Sequence, residues 1–234
     1  MEGLSIIKEA INAKLQIKHT AYTENFIASR NGKELLSYLR HLNLQLISVS
    51  EKKMAQISTL TTPPGIIAIA KTPTSNILIN KAVKTILILE EIQDPGNLGT
   101  ILRTALGSGC SGVASMKKTV DFYNSKVIRG SMGAIFHIPC ESGWDLENIK
   151  SLRKQGVRII TTVPRHGIPY WEANFSGHVG FIIGNEAKGV SKEIIDLSDL
   201  TVTIPLDSRA DSLNVAVAAG ILLFETIRQQ NISS

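Results

Sequence analysis

Val179-Gly180-Phe181-Ile182-Ile183-Gly184-Asn185-Glu186-Ala187-Lys188-Gly189 is the stretch from which the fold is read. Its first five residues are apolar with no polar alternation. A strand wetted on one face alternates, so a continuous apolar run bounded by glycine reads as a strand buried on both faces, the kind found in parallel sheets covered by helices. The turn that follows is polar and carries a glycine at each end. In open α/β sheets ligands collect beyond the carboxyl ends of strands, where glycine lets a ligand approach the backbone.

Working outward, the same alternation of apolar runs and helical periodicity extends from Thr85 to the end of the chain. Strands are expected at 85–89, 112–115, 136–139, 157–162, 179–183 and 200–204, and helices at 97–108, 123–131, 146–155, 192–197 and 213–229. This order predicts an α/β fold with a mainly parallel sheet. Ahead of it, helices at 4–12 and 32–41 with strands at 15–17, 25–28 and 66–70 predict a small α/β domain over residues 1–70. Residues 71–84 read as a linker, most turn-like at Thr72-Pro73-Thr74-Ser75-Asn76, although the apolar triplet 77–79 implies that part of it packs. The second domain is then 85–234.

Composition narrows the function classes. The chain has 234 residues, 43% of them hydrophobic, enough for real cores. No run approaches about eighteen apolar residues, and Met1-Glu2-Gly3-Leu4 has no basic region leading into an apolar segment, so membrane and secretory readings fall away. Two cysteines, Cys110 and Cys140, lack metal-ligand spacing and read as reduced core thiols of a cytoplasmic protein. The five histidines are scattered without metal-site spacing, so no metal is expected. The net charge of +5 is unevenly distributed: residues 1–84 hold 11 Lys and Arg against 5 Asp and Glu, whereas 85–234 hold 14 against 15. The first third is therefore the part suited to a phosphate backbone.

The strand at 85–89 is followed by Glu90-Glu91-Ile92-Gln93-Asp94-Pro95-Gly96-Asn97, not by the Gly-x-Gly-x-x-Gly of dinucleotide sites. Asn97 reads as a helix N-cap. Arg103 lies two turns further and about 120° round the axis, so it cannot simply pair with the cap, and an RNA phosphate is one candidate partner. Gly107, Gly109 and Gly112 follow a helix and read as its stop and a tight turn. Lys126 and Arg129 set two cations on one helical face, either for RNA phosphates or as an ordinary amphipathic helix end. Tyr170-Trp171, in the connection before residue 179, is either a ligand cover or buried against the sheet. Ile204-Pro205-Leu206 ends the last strand, and Ser212 and Asn214 stand at the mouth of the final helix, as caps or as site residues. Two ligand-type loops late in the chain predict a small-molecule site built there.

Three blocks, Asp94-Pro95-Gly96-Asn97-Leu98-Gly99-Thr100-Ile101-Leu102-Arg103, Ile183-Gly184-Asn185-Glu186-Ala187-Lys188-Gly189-Val190-Ser191 and Ile204-Pro205-Leu206 with Ser212-Leu213-Asn214-Val215, together resemble the signature motifs of the SpoU-type (TrmH-like) RNA ribose 2′-O-methyltransferases of the SPOUT class. The resemblance covers residues 85–229, with 125–139 also similar, and the N-terminal part more loosely resembles the small RNA-binding α/β domain of many members. It implies a C-terminal trefoil knot, a homodimer through the knotted region, S-adenosyl-L-methionine as methyl donor, and structured RNA as partner. By the same resemblance the main chain at Gly184, Ile204 and Leu213, with Thr162 nearby, cradles the donor. Arg103 activates the ribose hydroxyl or grips the adjacent phosphate, and Asn97, Glu186, Ser212 and Asn214 shape the site. The extra N-terminal domain favours ribosomal over transfer RNA; a transfer RNA enzyme and a catalytically silent RNA-binding protein of the same fold are the alternatives. The chain departs from the family pattern in two places. Ser208 stands where many members have glycine, which would either strain a turn needing positive φ or alter the loop geometry. The chain also starts where the family's first substrate-domain strand is ending, about twenty basic residues short.

Overall fold

Hydroxyl side chains decide where three helices of the first unit begin. In the computed structural model, which describes residues 1–74, 77, 85–185 and 187–232 (the last two by backbone alone), Met1–Thr74 and Ser75–Ser234 form two compact units. The first contains α1 (Leu4–Asn12), β1 (Ile17–Tyr22), α2 (Glu24–Ala28), α3 (Arg30–His41), β2 (Gln45–Ser48), α4 (Glu51–Ile57) and β3 (Ile66–Ala70). Thr23, Ser29 and Ser50 cap α2, α3 and α4 by accepting from the amides of Phe26, Gly32 and Lys53. The sheet runs β2-β1-β3, with β2 parallel and β3 antiparallel to β1. Its core joins Ile7, Leu35, Leu36 and Leu39 of the helices to Ile17, Ile66 and Ala68 of the strands.

Two expectations for this unit are corrected. Residues 25–28 are helical, not extended, because the Thr23 cap captures the Phe26 amide at 3.3 Å. The short strand expected at 15–17 is instead β1, which only begins at Ile17. Both β2 and α4 went unread; β2 is mostly exposed and has no buried alternation to mark it.

In the second unit the elements are β4 (Thr85–Leu89), α5 (Pro95–Gly107), β5 (Gly112–Met116), α6 (Ser125–Gly130), a 3-10 turn (Ala134–Phe136), β6 (Cys140–Trp144), α7 (Leu146–Lys154), β7 (Arg158–Thr162), β8 (Ile168–Pro169), β9 (Val179–Ile183), α8 (Lys192–Leu197), β10 (Leu200–Thr203) and α9 (Val215–Ile232). Seven strands form one sheet in the order β6-β5-β4-β9-β7-β10-β8, each pair parallel. The α/β architecture with a parallel sheet expected from the sequence is present. Leu87, Leu89, Phe181 and Ile183 enter a core with α5 and α9 on one face, while Ile86, Ile88 and Ile182 enter another with α7 and α8 on the opposite face. Burial on both faces is why β4 beyond Thr85 and all of β9 have no polar positions.

The strand expected at 136–139 is displaced. Met132 and Gly133 take φ of 51° and 88°, turning the chain into the 3-10 segment, and pairing with β5 begins only at Cys140 opposite Val113. The final helix starts at Val215 instead of 213, and α5 starts two residues early, at Pro95. Most of 75–84 lies outside the described residues; Ile77 is buried in the α7–α8 core, against Gly112. Cys110 and Cys140 are free and buried, and burial pushes their thiols up to about 11 and about 12. Among the described residues no helix is long and apolar enough to cross a membrane.

Helices α5 and α6 meet backbone to backbone. A Cβ placed on Gly99 would lie 2.8 Å from the Cα and carbonyl carbon of Gly130, so no side chain fits. Alanine in mid-helix normally gains about 1 kcal/mol over glycine, but here the methyl must push α6 away, at a cost of about 1–3 kcal/mol. Gly99→Ala is therefore expected to lower stability in a urea melt, the reverse of its helix propensity.

Candidate active site

The carboxyl ends of β4 and β9 finish together, Leu89 opposite Ile183, and β7 ends beside β10 with Thr162 opposite Val202. The loops leaving β7, β9 and β10 surround a cavity of about 290 Å³. All four positions expected to cradle a donor, Thr162, Gly184, Ile204 and Leu213, line it, and so does Ser212. Spacing alone did not bring Thr162 and Leu213 together; the parallel order β9-β7-β10 does.

Gly184 is required by contact, not by backbone angle. A Cβ there would lie 2.3 Å from the carbonyl oxygen of Gly189 and 2.6 Å from the amide nitrogen of Val190. The loop folds back on itself at this point: Asn185 and Gly189 form a bridge, with the Gly189 amide donating to the Asn185 carbonyl at 2.8 Å and Gly189 at φ 70°. The Asn185 side-chain oxygen accepts from the amides of Ala187 and Lys188 at 2.9 and 3.2 Å. Its amide group donates to the carbonyl of Glu91 at 3.0 Å. Asn185 and Lys188 also line the cavity. In the sequence both are parts of a motif with no separate role expected; a buried strand followed by an Asx-type turn is the signal that singles out Asn185. Glu186 lies outside the described residues.

Asn97 is not the N-cap of its helix. Asp94 is, accepting from the Asn97 amide at 2.7 Å with Pro95 at the first helical position. This leaves the Asn97 side chain for another partner: its oxygen accepts from Asn214 Nδ2 at 2.8 Å, across 117 residues of sequence. Asn214 in turn caps α9, its Oδ1 accepting from the amides of Ala216 and Val217 at 2.9 and 3.4 Å. Of the alternatives open in the sequence, the structure shows the cap, and the same side chain also bonds to Asn97.

Arg103 is exposed on α5 and makes no hydrogen bond or ion pair among the described residues; it does not line the cavity. Lys126 and Arg129 lie on α6, the helix in backbone contact with α5, Lys126 exposed and Arg129 half-buried. Ser208 does not show the expected strain, since it is not among the non-glycine residues at positive φ. Its turn is held instead by Asp207, whose carboxylate accepts from the Arg209 amide at 3.1 Å and Nε at 2.8 Å. Those bonds keep the Asp207 carboxyl below its usual range. Trp171 is exposed and makes a T-shaped contact with Tyr170 at 5.1 Å, but neither lines the cavity.

The mixed α/β fold with a seven-stranded parallel sheet is that of the SpoU methyltransferases. The model of the SpoU rRNA Methylase family matches residues 84–224, and that of the MRM3-like substrate binding domain matches residues 1–68. The chain belongs to the SpoU rRNA methylase family. The 23S rRNA (guanosine(2553)-2′-O)-methyltransferase RlmP of Bacillus subtilis (strain 168) is 34% identical to it over 224 residues, 96% of this chain and 86% of the relative. The crystal structure of an RNA 2′-O ribose methyltransferase matches with a TM-score of 0.82 at 30% identity, covering 97% of this chain and 87% of the other. That of the SpoU methyltransferase AviRb from Streptomyces viridochromogenes in complex with AdoMet matches with a TM-score of 0.88 at 25% identity, covering 100% and 90%.

The α9 cap uses Oδ1 of Asn214 and the bond to Asn97 uses Nδ2, so the two contacts are separable. Asn214→Ala removes the α9 cap and should cost about 1 kcal/mol in urea unfolding. Asn214→Asp keeps the acceptor at the helix N-terminus and is expected to stay within about 0.5 kcal/mol of the parent.

Proposed function

We propose that this protein transfers a methyl group from S-adenosyl-L-methionine to a ribose 2′-hydroxyl of ribosomal RNA. One observation carries the reading: Thr162, Gly184, Ile204 and Leu213, from separate blocks of the chain, line one cavity. Its volume of about 290 Å³ lies near the lower end of small-molecule sites, about 300–1,000 Å³. The site fits such a donor. Gly184 leaves bare backbone where a Cβ would collide with Gly189, and Ile204, Leu213 and Val215 add apolar surface for a flat base. When bound, the donor supplies a methyl group already activated on a sulfonium.

The remaining work falls to this chain's residues. A 2′-hydroxyl is a weak nucleophile that must be held in line with the methyl group and relieved of its proton. The Arg103 guanidinium stays protonated at neutral pH and cannot take that proton. Its role in this reading is to hold the phosphate beside the target ribose and to lower the cost of the developing alkoxide. The phosphate, Glu186 and solvent are the acceptors open to the proton. The Asn97–Asn214 bond ties the start of α5, and hence Arg103, to the wall of the donor cavity. Lys126 and Arg129 extend the cationic surface along α6.

Residues 1–70, the basic part of the chain, form in this reading a substrate-binding domain joined by a linker at 71–84 to a catalytic domain at 85–234. The match of residues 1–68 to a substrate-binding domain and the similarity to a 23S rRNA enzyme over 96% of the chain support ribosomal over transfer RNA. The catalytic domain in this proposal carries a trefoil knot. The supporting features are β9, late in sequence yet inserted between β4 and β7, and α9, which returns to pack on α5. It acts as a cytoplasmic homodimer, a reading supported by α9, on which Val217, Ile221 and Phe224 share one stripe with Val217 and Phe224 about half exposed.

Two substitutions test the reading. Gly184→Ala should weaken donor binding more than about ten-fold in calorimetry, since a methyl collides with the loop that closes the cavity. Arg103→Ala should leave donor affinity unchanged and lower transfer of labelled methyl to ribosomal RNA by about 10²–10³-fold. Near-normal turnover in Arg103→Ala, with RNA binding intact, would remove its assigned role.

A further inference from the structure

Glu91, two residues beyond β4, has φ of 54°, a left-handed conformation that a residue with a long side chain adopts only at a cost. In that conformation its carbonyl and its carboxylate both reach the loop that follows β9. The carbonyl accepts from Asn185 Nδ2 at 3.0 Å, and the carboxylate lies 3.6 Å from Lys188 Nζ. The same carboxylate accepts from Lys118 Nζ, in the loop after β5, at 2.7 Å. The Lys118 ammonium holds the Glu91 carboxyl below its usual range, so it is charged at neutral pH.

Its neighbour Glu90 grips the other end of the same loop. The Glu90 amide continues the sheet by donating to the Ile183 carbonyl at 2.9 Å, and its carboxylate accepts from the Ser191 amide at 2.8 Å. Ser191 is the N-cap position of α8, but its own side chain makes no capping bond. The chain after β9 is thus fastened at Ile183, at Asn185 and Lys188, and at Ser191 by two consecutive glutamates from the loop after β4. Neither glutamate lines the cavity, whereas Gly184, Asn185, Ala187, Lys188 and Gly189 do.

We propose that Glu90 and Glu91 are positioning residues for the methyl-donor site, pinning Asn185, Lys188 and Ser191 so that the residues lining the cavity keep their places, and so setting donor affinity from outside it. The proposal rests on the reading of this cavity as the donor site. The left-handed backbone at Glu91 is retained for a contact that glycine, the residue suited to that conformation, cannot make.

Two variants separate positioning from general stability. Glu91→Gly relieves the backbone cost and deletes the carboxylate contacts to Lys188 and Lys118 while keeping the carbonyl bond to Asn185; Glu91→Gln keeps the shape and deletes the charge. With S-adenosyl-L-methionine as titrant in calorimetry, both should bind about five-fold or more weakly than the parent. Glu91→Gly should melt at the same temperature or higher. In methyl-transfer assays the donor KM should rise while kcat at saturating donor stays unchanged. Donor affinity equal to the parent's in Glu91→Gly, or a melting temperature that falls along with affinity, would overturn the proposal. A parent protein that binds no S-adenosyl-L-methionine would instead overturn the donor reading, and this inference with it.

Discussion

The ladder that seats β9 between β4 and β7 is the constraint on which the rest of the second unit depends. It brings Ile183 level with Leu89, and the loops that leave both strands therefore emerge side by side. With β10 added next to β7, blocks separated by tens of residues converge on one cavity at the carboxyl edge. β4 and β9 hold this alignment because each is buried on both faces. A one-residue slip would exchange the α5–α9 core for the α7–α8 core along its whole length.

On this frame the site is assembled from close backbone approaches and a few polar bonds. Gly184 lets the loop turn back onto Gly189, and Gly99 lets α6 lie against α5. The Asn97–Asn214 bond connects the first helix of the unit to the last, and the glutamates after β4 hold the loop after β9. These contacts cost little burial but require that the strands beneath them do not move. A rigid sheet with its working groups on the loops above is the usual division of labour in α/β proteins.

The periodic parts of the chain were legible. Strands at 85–89 and 179–183, and helices at 4–12 and 192–197, coincide with the observed elements because burial is patterned along them and short-range sequence records burial. Readings failed where local hydrogen bonding or a turn overrode apolar content. Phe26 and Ile27 suggested a strand, yet the Thr23 cap makes them helical. Phe136 and Ile138 suggested another, yet left-handed Met132 and Gly133 redirect the chain. Asn97 was read as a cap when Asp94, three residues earlier, holds that role.

By itself, the sequence determined the α/β class, the buried parallel strands and the polar blocks at their ends, since each follows from side-chain polarity over a few residues. Their likeness to a known family assigned roles to Thr162, Gly184, Ile204 and Leu213. Only the tertiary structure decided that these line one cavity, that Asn97 faces Asn214, and that Glu90 and Glu91 fasten a loop about a hundred residues away. The physical reason is strand order. Which strands pair is set by the packing of the whole sheet, a sum over contacts distant in the chain that no local pattern encodes.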